Sequence, residues 1–271
     1  MAGFAIEDMF LKSAAATLPV GEILILFGGA GMLVFAALAK RRGERVLHPA
    51  ILTPVILIRA LFEVTGRLFY TLAIALTPLS NASAILQATP LVVIAGAAVV
   101  FGERVGWRRW TAVFVGFVGV LVILRPGLEG FTPLTLLAVI GTIGFAGRDL
   151  ATRAAPPVLS NFQLGIYGFA MMVPAGALLL AVSGGATMPD GFAATFLACA
   201  TGIGVLAYYA LTRAMRTGDV SVVTPFRYTR LIFAMILGLA VFSEHPDLLT
   251  IAGSVLIVAS GVYALLRSRR R

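Results

Sequence analysis

The 271-residue chain is 59% hydrophobic and only 12% charged, with a mean hydropathy of +0.99, which specifies a polytopic membrane protein. About ten spans of ~20 residues use up that length, so no soluble catalytic or nucleotide-binding module fits beside them. The net charge of +9 reflects topology, because no aromatic-basic patch supports a nucleic-acid surface.

Membrane-length helices are predicted at roughly 1–18, 20–39, 50–76, 80–101, 108–125, 132–153, 159–182, 191–213, 219–242 and 248–266. Sorted by side, fifteen Lys and Arg, among them Lys40, Arg45, Arg108, Arg148, Arg213 and Arg267, fall together and Arg125 falls opposite. The excess marks the cytoplasmic side and predicts that both termini lie there. Met1 is followed by no basic leader or small-residue cleavage site, so no cleavable signal peptide is expected. The isolated Cys199, His48 and His245 predict neither an internal disulfide nor a metal site. With no Walker-type loop and no cofactor motif, any pumping must draw on a gradient rather than on ATP hydrolysis in this chain.

The first helix carries Asp8 and Lys12, an i, i+4 pair in favourable order. Asp8 has a second reading, as a proton-coupling carboxylate. The third helix, "IRALFEVTGRLFYTLAIAL", holds Arg59, Glu63 and Arg67 at four-residue spacing, so all three share one face. A charge at mid-membrane costs roughly 2.5–3.5 kcal/mol even on the lenient insertion scale, so this stripe needs partners or a polar cavity. It is either an ion-pair ladder or the wall of a substrate path. With the helix starting near residue 51, Glu63 stands about 18 Å in, close to the midplane, and Arg59 nearer the cytoplasm has a structural reading.

In helix four "LQATPLVV" offers Gln87, Thr89 and Pro90, as cavity groups or as polar groups bonded to a neighbouring helix. Helix six repeats the first pair as Asp149 and Arg153, and both pairs read as structural pairs or gates near one end of each half. Helix nine opens with "TPFRYTRL", where Pro225 frees a backbone carbonyl, Arg227 and Arg230 share a face, and Tyr228 brings a hydroxyl and an aromatic ring for a ligand. Glu103 and Glu244 sit at helix junctions and read as caps. Four Arg against one Glu in the central stripe predict a cavity favouring an anionic or zwitterionic solute.

The chain also resembles itself. "GFAIEDMFLK" from Gly3 matches "GFAGRDLATR" from Gly144, and 141 residues separate Asp8 from Asp149, Lys12 from Arg153 and Glu103 from Glu244. Two copies, 1–129 and 130–271, with five helices each are predicted, inverted about an axis in the membrane plane. The match predicts a first helix short for its role, with its inner end missing or encoded upstream of Met1.

Several motifs resemble the EamA-type drug/metabolite transporter superfamily. They are Arg59 opening helix three, Pro90 inside helix four, the Gly102-Glu103-Arg104 turn and Gly116-x-x-Gly119 in helix five. "GFAIEDMFLK" and "TPFRYTRLIFAMILGLAVFSEHPD" are similar, more narrowly, to the subgroup holding S-adenosylmethionine uptake and bacterial riboflavin transporters. The resemblance covers nearly the whole chain. It implies an all-α, ten-helix secondary transporter of a bacterial inner membrane, in which two inverted repeats give alternating access to a central cavity for a small organic metabolite. An amino-acid or metabolite exporter of the same superfamily is the second expectation. A membrane-embedded lipid-modifying enzyme and a passive channel are the distant ones. The lipid bilayer and a small-molecule solute are the expected partners. The sequence sets no oligomeric state, a homodimer included.

Overall fold

The computed structural model describes residues 1–100, 102, 106–125, 132–217 and 227–268. Pro225, Glu103 and Arg104 lie outside them. Among the described residues the secondary structure is twelve α-helical segments, with 3₁₀ turns at Pro49–Leu52 and at residues 227–228 and no strand. They are α1 (Ala2–Ala14), α2 (Val20–Arg41), α3 (Pro54–Leu76), α4 (Leu79–Leu86), α5 (Thr89–Val100), α6 (Trp107–Leu124), α7 (Thr135–Arg153), α8 (Asn161–Ala170), α9 (Met172–Ser183), α10 (Gly191–Thr217), α11 (Thr229–Phe242) and α12 (Leu248–Ser268). Segments α4 and α5 form one apolar span, Leu79–Val100, and α8 and α9 another, Asn161–Ser183, which leaves ten helical units. Four of them are long and apolar enough to cross a membrane by length and composition: these two spans, α2 and most of α10.

Local chemistry sets the boundaries. Pro54 opens α3 at a position where its missing N–H costs nothing. A capping box starts α8: Gln163 N–H donates to Ser160 Oγ at 3.1 Å, and Ser160 N–H donates back to Gln163 Oε1 at 2.9 Å. Asp190 and Asp247 accept the first free amides of α10 and α12, from Ala193 and Thr250. The break between α4 and α5 follows from Pro90, which cannot donate to the Leu86 carbonyl. The Thr89 hydroxyl takes that carbonyl instead, at 2.5 Å.

The molecule is inside-out by soluble standards. Leu61 is 65% exposed while Glu63, two residues on, is fully buried. Leu206, Phe114, Phe117 and Leu33 likewise face outward, as a lipid-facing skin requires. Helices pair α3 with α7, α1 with α10, α2 with α8 and α9, and α6 with α12. The α3–α7 pair needs glycine: a Cβ on Gly144 would stand 2.3 Å from the Gly66 backbone nitrogen. The α6–α12 pair meets the same way, a Cβ on Gly253 falling 2.6 Å from the Gly119 carbonyl.

Helix α1 has 13 residues against 19 in α7, about 20 Å of rise against about 29 Å. Helix α3 starts at Pro54 rather than near residue 51, so Glu63 lies about 14 Å and Arg67 about 20 Å along it. Its midpoint falls between the two.

Candidate functional site

The α3 stripe is buried and crosslinks three helices. Arg59 donates from Nε to Thr152 Oγ1 of α7 at 2.9 Å and from its terminal nitrogen to the Tyr208 hydroxyl of α10 at 2.5 Å. Glu63 accepts from that same Tyr208 hydroxyl at 2.8 Å and, more loosely, from Arg148 of α7 at 3.4 Å, with Arg59 at 3.6 Å. Arg67 donates to Glu7 of α1, and its guanidinium lies 5.5 and 5.8 Å from the ring centres of Phe27 and Phe145. The same network continues into α11. Asp149 accepts from Arg148 at 2.9 and 3.1 Å and pairs with Arg227. Asp8 accepts from Arg230 through two nitrogens, Nε at 3.1 Å, and receives the Tyr70 hydroxyl at 3.4 Å.

Arg67, Arg148, Arg227 and Arg230 converge on one small cavity, whose wall also takes in Phe4, Phe145, Gln87, Thr89 and Pro90. No carboxylate lines it among the described residues. The acidic groups Glu7, Asp8, Glu63 and Asp149 stand one layer back, each turned onto a guanidinium. The cavity measures about 30 Å³, room for one or two waters and far below the several hundred Å³ that a metabolite occupies. Among the described residues no three His, Cys, Asp or Glu side chains converge as a metal site would need.

Several expectations change. Asp8 and Lys12 do not pair: Asp8 takes Arg230 and Tyr70, while Lys12 reaches across to the carbonyls of Ile74 and Thr77 at 2.9 and 2.7 Å and to Glu244 at 3.6 Å. Asp149 is gripped by Arg148 and Arg227, and Arg153 stands at the exposed end of α7. Tyr228 does not face the cavity. It is 5% exposed, and its hydroxyl abuts α12 so closely that a Cβ on Gly261 would overlap it. Arg59 and Glu63 also stand outside the cavity wall, so both form a ladder behind it while Arg67 lines it. Gln87 and Thr89 bond back to their own span, at Ser83 and Leu86, while facing the cavity. Glu244 is a cap, but for a distant helix: it accepts from the amides of Leu79 and Ser80 at 2.7 and 3.0 Å, at the start of α4.

The count of four Arg against one Glu also changes, to five Arg against four carboxylates across the whole network. Sequence reasoning missed Glu7 and assigned Arg148 to topology. One signal could have found both: they stand beside Asp8 and Asp149, 141 residues apart, in the two stretches that resemble each other.

Comparison with known proteins adds to this geometry. The model of the EamA-like transporter family matches residues 1–125 and again 132–266. Similar proteins include an S-adenosylmethionine uptake transporter of Rickettsia felis, 27% identical over 79% of this chain and 72% of its own. A pseudopaline exporter of Pseudomonas aeruginosa is 28% identical over 98% and 93%, and a riboflavin transporter of Vibrio cholerae 29% over 75% and 68%. A solved crystal structure superposes with a TM-score of 0.70 over 98% of this chain and 97% of that one, at 20% identity, a likeness of fold.

Proposed function

The chain belongs to the EamA-like transporter family, and on that premise we propose that it is a secondary transporter carrying a small organic solute with a carboxylate group, anionic or zwitterionic, across a bacterial inner membrane by alternating access. The observation that carries this reading is the cavity wall, in which four guanidinium groups converge with no carboxylate among them. Guanidinium forks suit a planar carboxylate better than a point charge would. Phe4 and Phe145 beside them suit a ring or an apolar body on the same solute.

The two copies, 1–129 and 130–271, work as inverted repeats with both termini cytoplasmic. The family model's double match and the 141-residue offset support this. Arg230 in the first turn of α11 and Arg227 just before it bind the solute together with Arg67 and Arg148. Lys12 and Glu244 close one end.

S-adenosylmethionine, which has an amino-acid carboxylate, and riboflavin, which has none, are the solutes in the names of two relatives and the first probes. The relative named as an exporter matches the greatest share of this chain among the three and favours a second reading, the same carrier working outward. Uptake of both labelled compounds into proteoliposomes, with unlabelled amino acids and organic acids as competitors, tests the proposal. Saturable uptake of S-adenosylmethionine, abolished by excess carboxylate competitor and weakened in Arg230→Gln, is expected. Transport of solutes lacking a carboxylate, riboflavin included, with no inhibition by organic acids, would overturn it.

A further inference from the structure

The four buried carboxylates of the network differ in how many donors hold them. Glu63 has Tyr208, Arg148 and the neighbouring Arg59. Asp149 has Arg148 and Arg227, and Asp8 has Arg230 and Tyr70. Glu7, fully buried, has Arg67 as its one hydrogen-bond donor among the described residues, at Oε1. Its other oxygen, Oε2, is buried with no partner and faces Gly204 of α10, where an added Cβ would stand 3.1 Å away, next to the ring of Phe27 from α2. The charges near Glu7 are few. Arg67 comes from α3, Asp8 is its neighbour on α1, and Arg230 comes from α11 already engaged with Asp8.

Arg67, the one cation holding Glu7, is also a cavity group. Its guanidinium lines the cavity, and its Nε is buried with no partner. A carboxylate entering the cavity would therefore compete with Glu7 for the same guanidinium. An ionised carboxylate left alone in a low-dielectric interior costs several kcal/mol, and taking up a proton removes that cost. We propose that Glu7 is the proton-coupling group: when the solute carboxylate takes Arg67, Glu7 binds one proton, and both leave together when Arg67 returns to Glu7. The proton reaches Glu7 Oε2 from water admitted with the solute and departs by the same route.

The step adds one anion and one proton to the same conformation, so the solute and the proton move in the same direction. The second repeat carries Arg148 at the position equivalent to Glu7, a fixed cation in place of a titrating acid, which makes the coupling single. This inference rests on the transport reading above, and two experiments separate their failures.

The first needs no solute. Infrared spectroscopy of purified Arg67→Gln at neutral pH should show the carbonyl band of a protonated carboxylic acid, absent from the Glu7→Gln/Arg67→Gln double variant. No such band in a folded single variant would overturn the proposal. The second uses proteoliposomes with labelled S-adenosylmethionine, whose carboxylate can compete for Arg67, and the membrane voltage clamped at zero. An inward proton gradient of one pH unit should concentrate the solute about tenfold in wild type. Glu7→Gln retains an acceptor for Arg67, so this arm does not depend on Arg67→Gln folding. It should transport to equal concentrations and ignore the gradient. Accumulation by Glu7→Gln as in wild type would overturn the proposal. If S-adenosylmethionine moves in no variant, the transport reading with this solute fails while the infrared result still decides Glu7.

Discussion

Glu63 offers the sharpest test of whether the α3 ladder serves the fold or the solute. It is fully buried and stands between Arg59, Arg148 and the Tyr208 hydroxyl, outside the cavity wall. Glu63→Ala removes the charge and the acceptor together, leaving Arg59 without a carboxylate and the Tyr208 hydroxyl without its acceptor, and breaking a buried pair in this way costs about 3–5 kcal/mol. Glu63→Gln keeps an acceptor for Tyr208, and Arg148 keeps Asp149, so its loss should be about 1–3 kcal/mol. Equilibrium unfolding in mixed micelles, followed by circular dichroism, measures both. The Gln variant, where it survives, should transport with unchanged KM, because its contacts lie behind the cavity. Both variants within about 0.5 kcal/mol of wild type, the range of an ordinary surface change, would refute the ladder. A Gln variant of wild-type stability with a raised KM would return Glu63 to the solute path.

Other outcomes follow from the packing and the ends. Gly144→Ala pushes a Cβ to 2.3 Å from the Gly66 backbone, which a flexible side chain cannot relieve, so the α3–α7 pair must part at a cost of about 1–3 kcal/mol or more, seen in the same unfolding assay. Lys12→Met and Glu244→Gln should be non-additive, with a coupling of about 0.5–3 kcal/mol in a double-mutant cycle, because Lys12 bridges the carbonyl end of α3 to the carboxylate that caps α4. Asp247, at the start of α12, has its charge opposed by partial burial, yet hydrogen bonds from Arg125 and Thr250 hold its carboxyl down at about 2. A depressed carboxyl stabilises above its ordinary value of 3.8 and loses that contribution as pH falls toward 2. The difference in thermal midpoint between wild type and Asp247→Asn should therefore be constant near neutrality and shrink on acidification below about pH 4.

Much of the architecture was legible from one dimension. Apolar runs of bilayer length count the helical units, Pro90 marks the break between α4 and α5, and the four-residue spacing of Arg59, Glu63 and Arg67 puts them on one face, because helical periodicity and the missing proline N–H are local properties. The internal likeness at 141 residues was legible too, since it lies in the order of residues. What only the tertiary structure decided is which group each charge meets. Asp8 prefers Arg230, 222 positions away, to Lys12 one turn on, and Lys12 prefers Glu244 and two carbonyls, Ile74 in the last turn of α3 and Thr77 just beyond it. Local spacing fixes only that two side chains can meet. In a low-dielectric interior every charge must be compensated, so the helix that packs alongside selects the partner. For the same reason Arg148 turns to Glu63 and Asp149, and Glu7 comes to depend on Arg67 alone among the described donors.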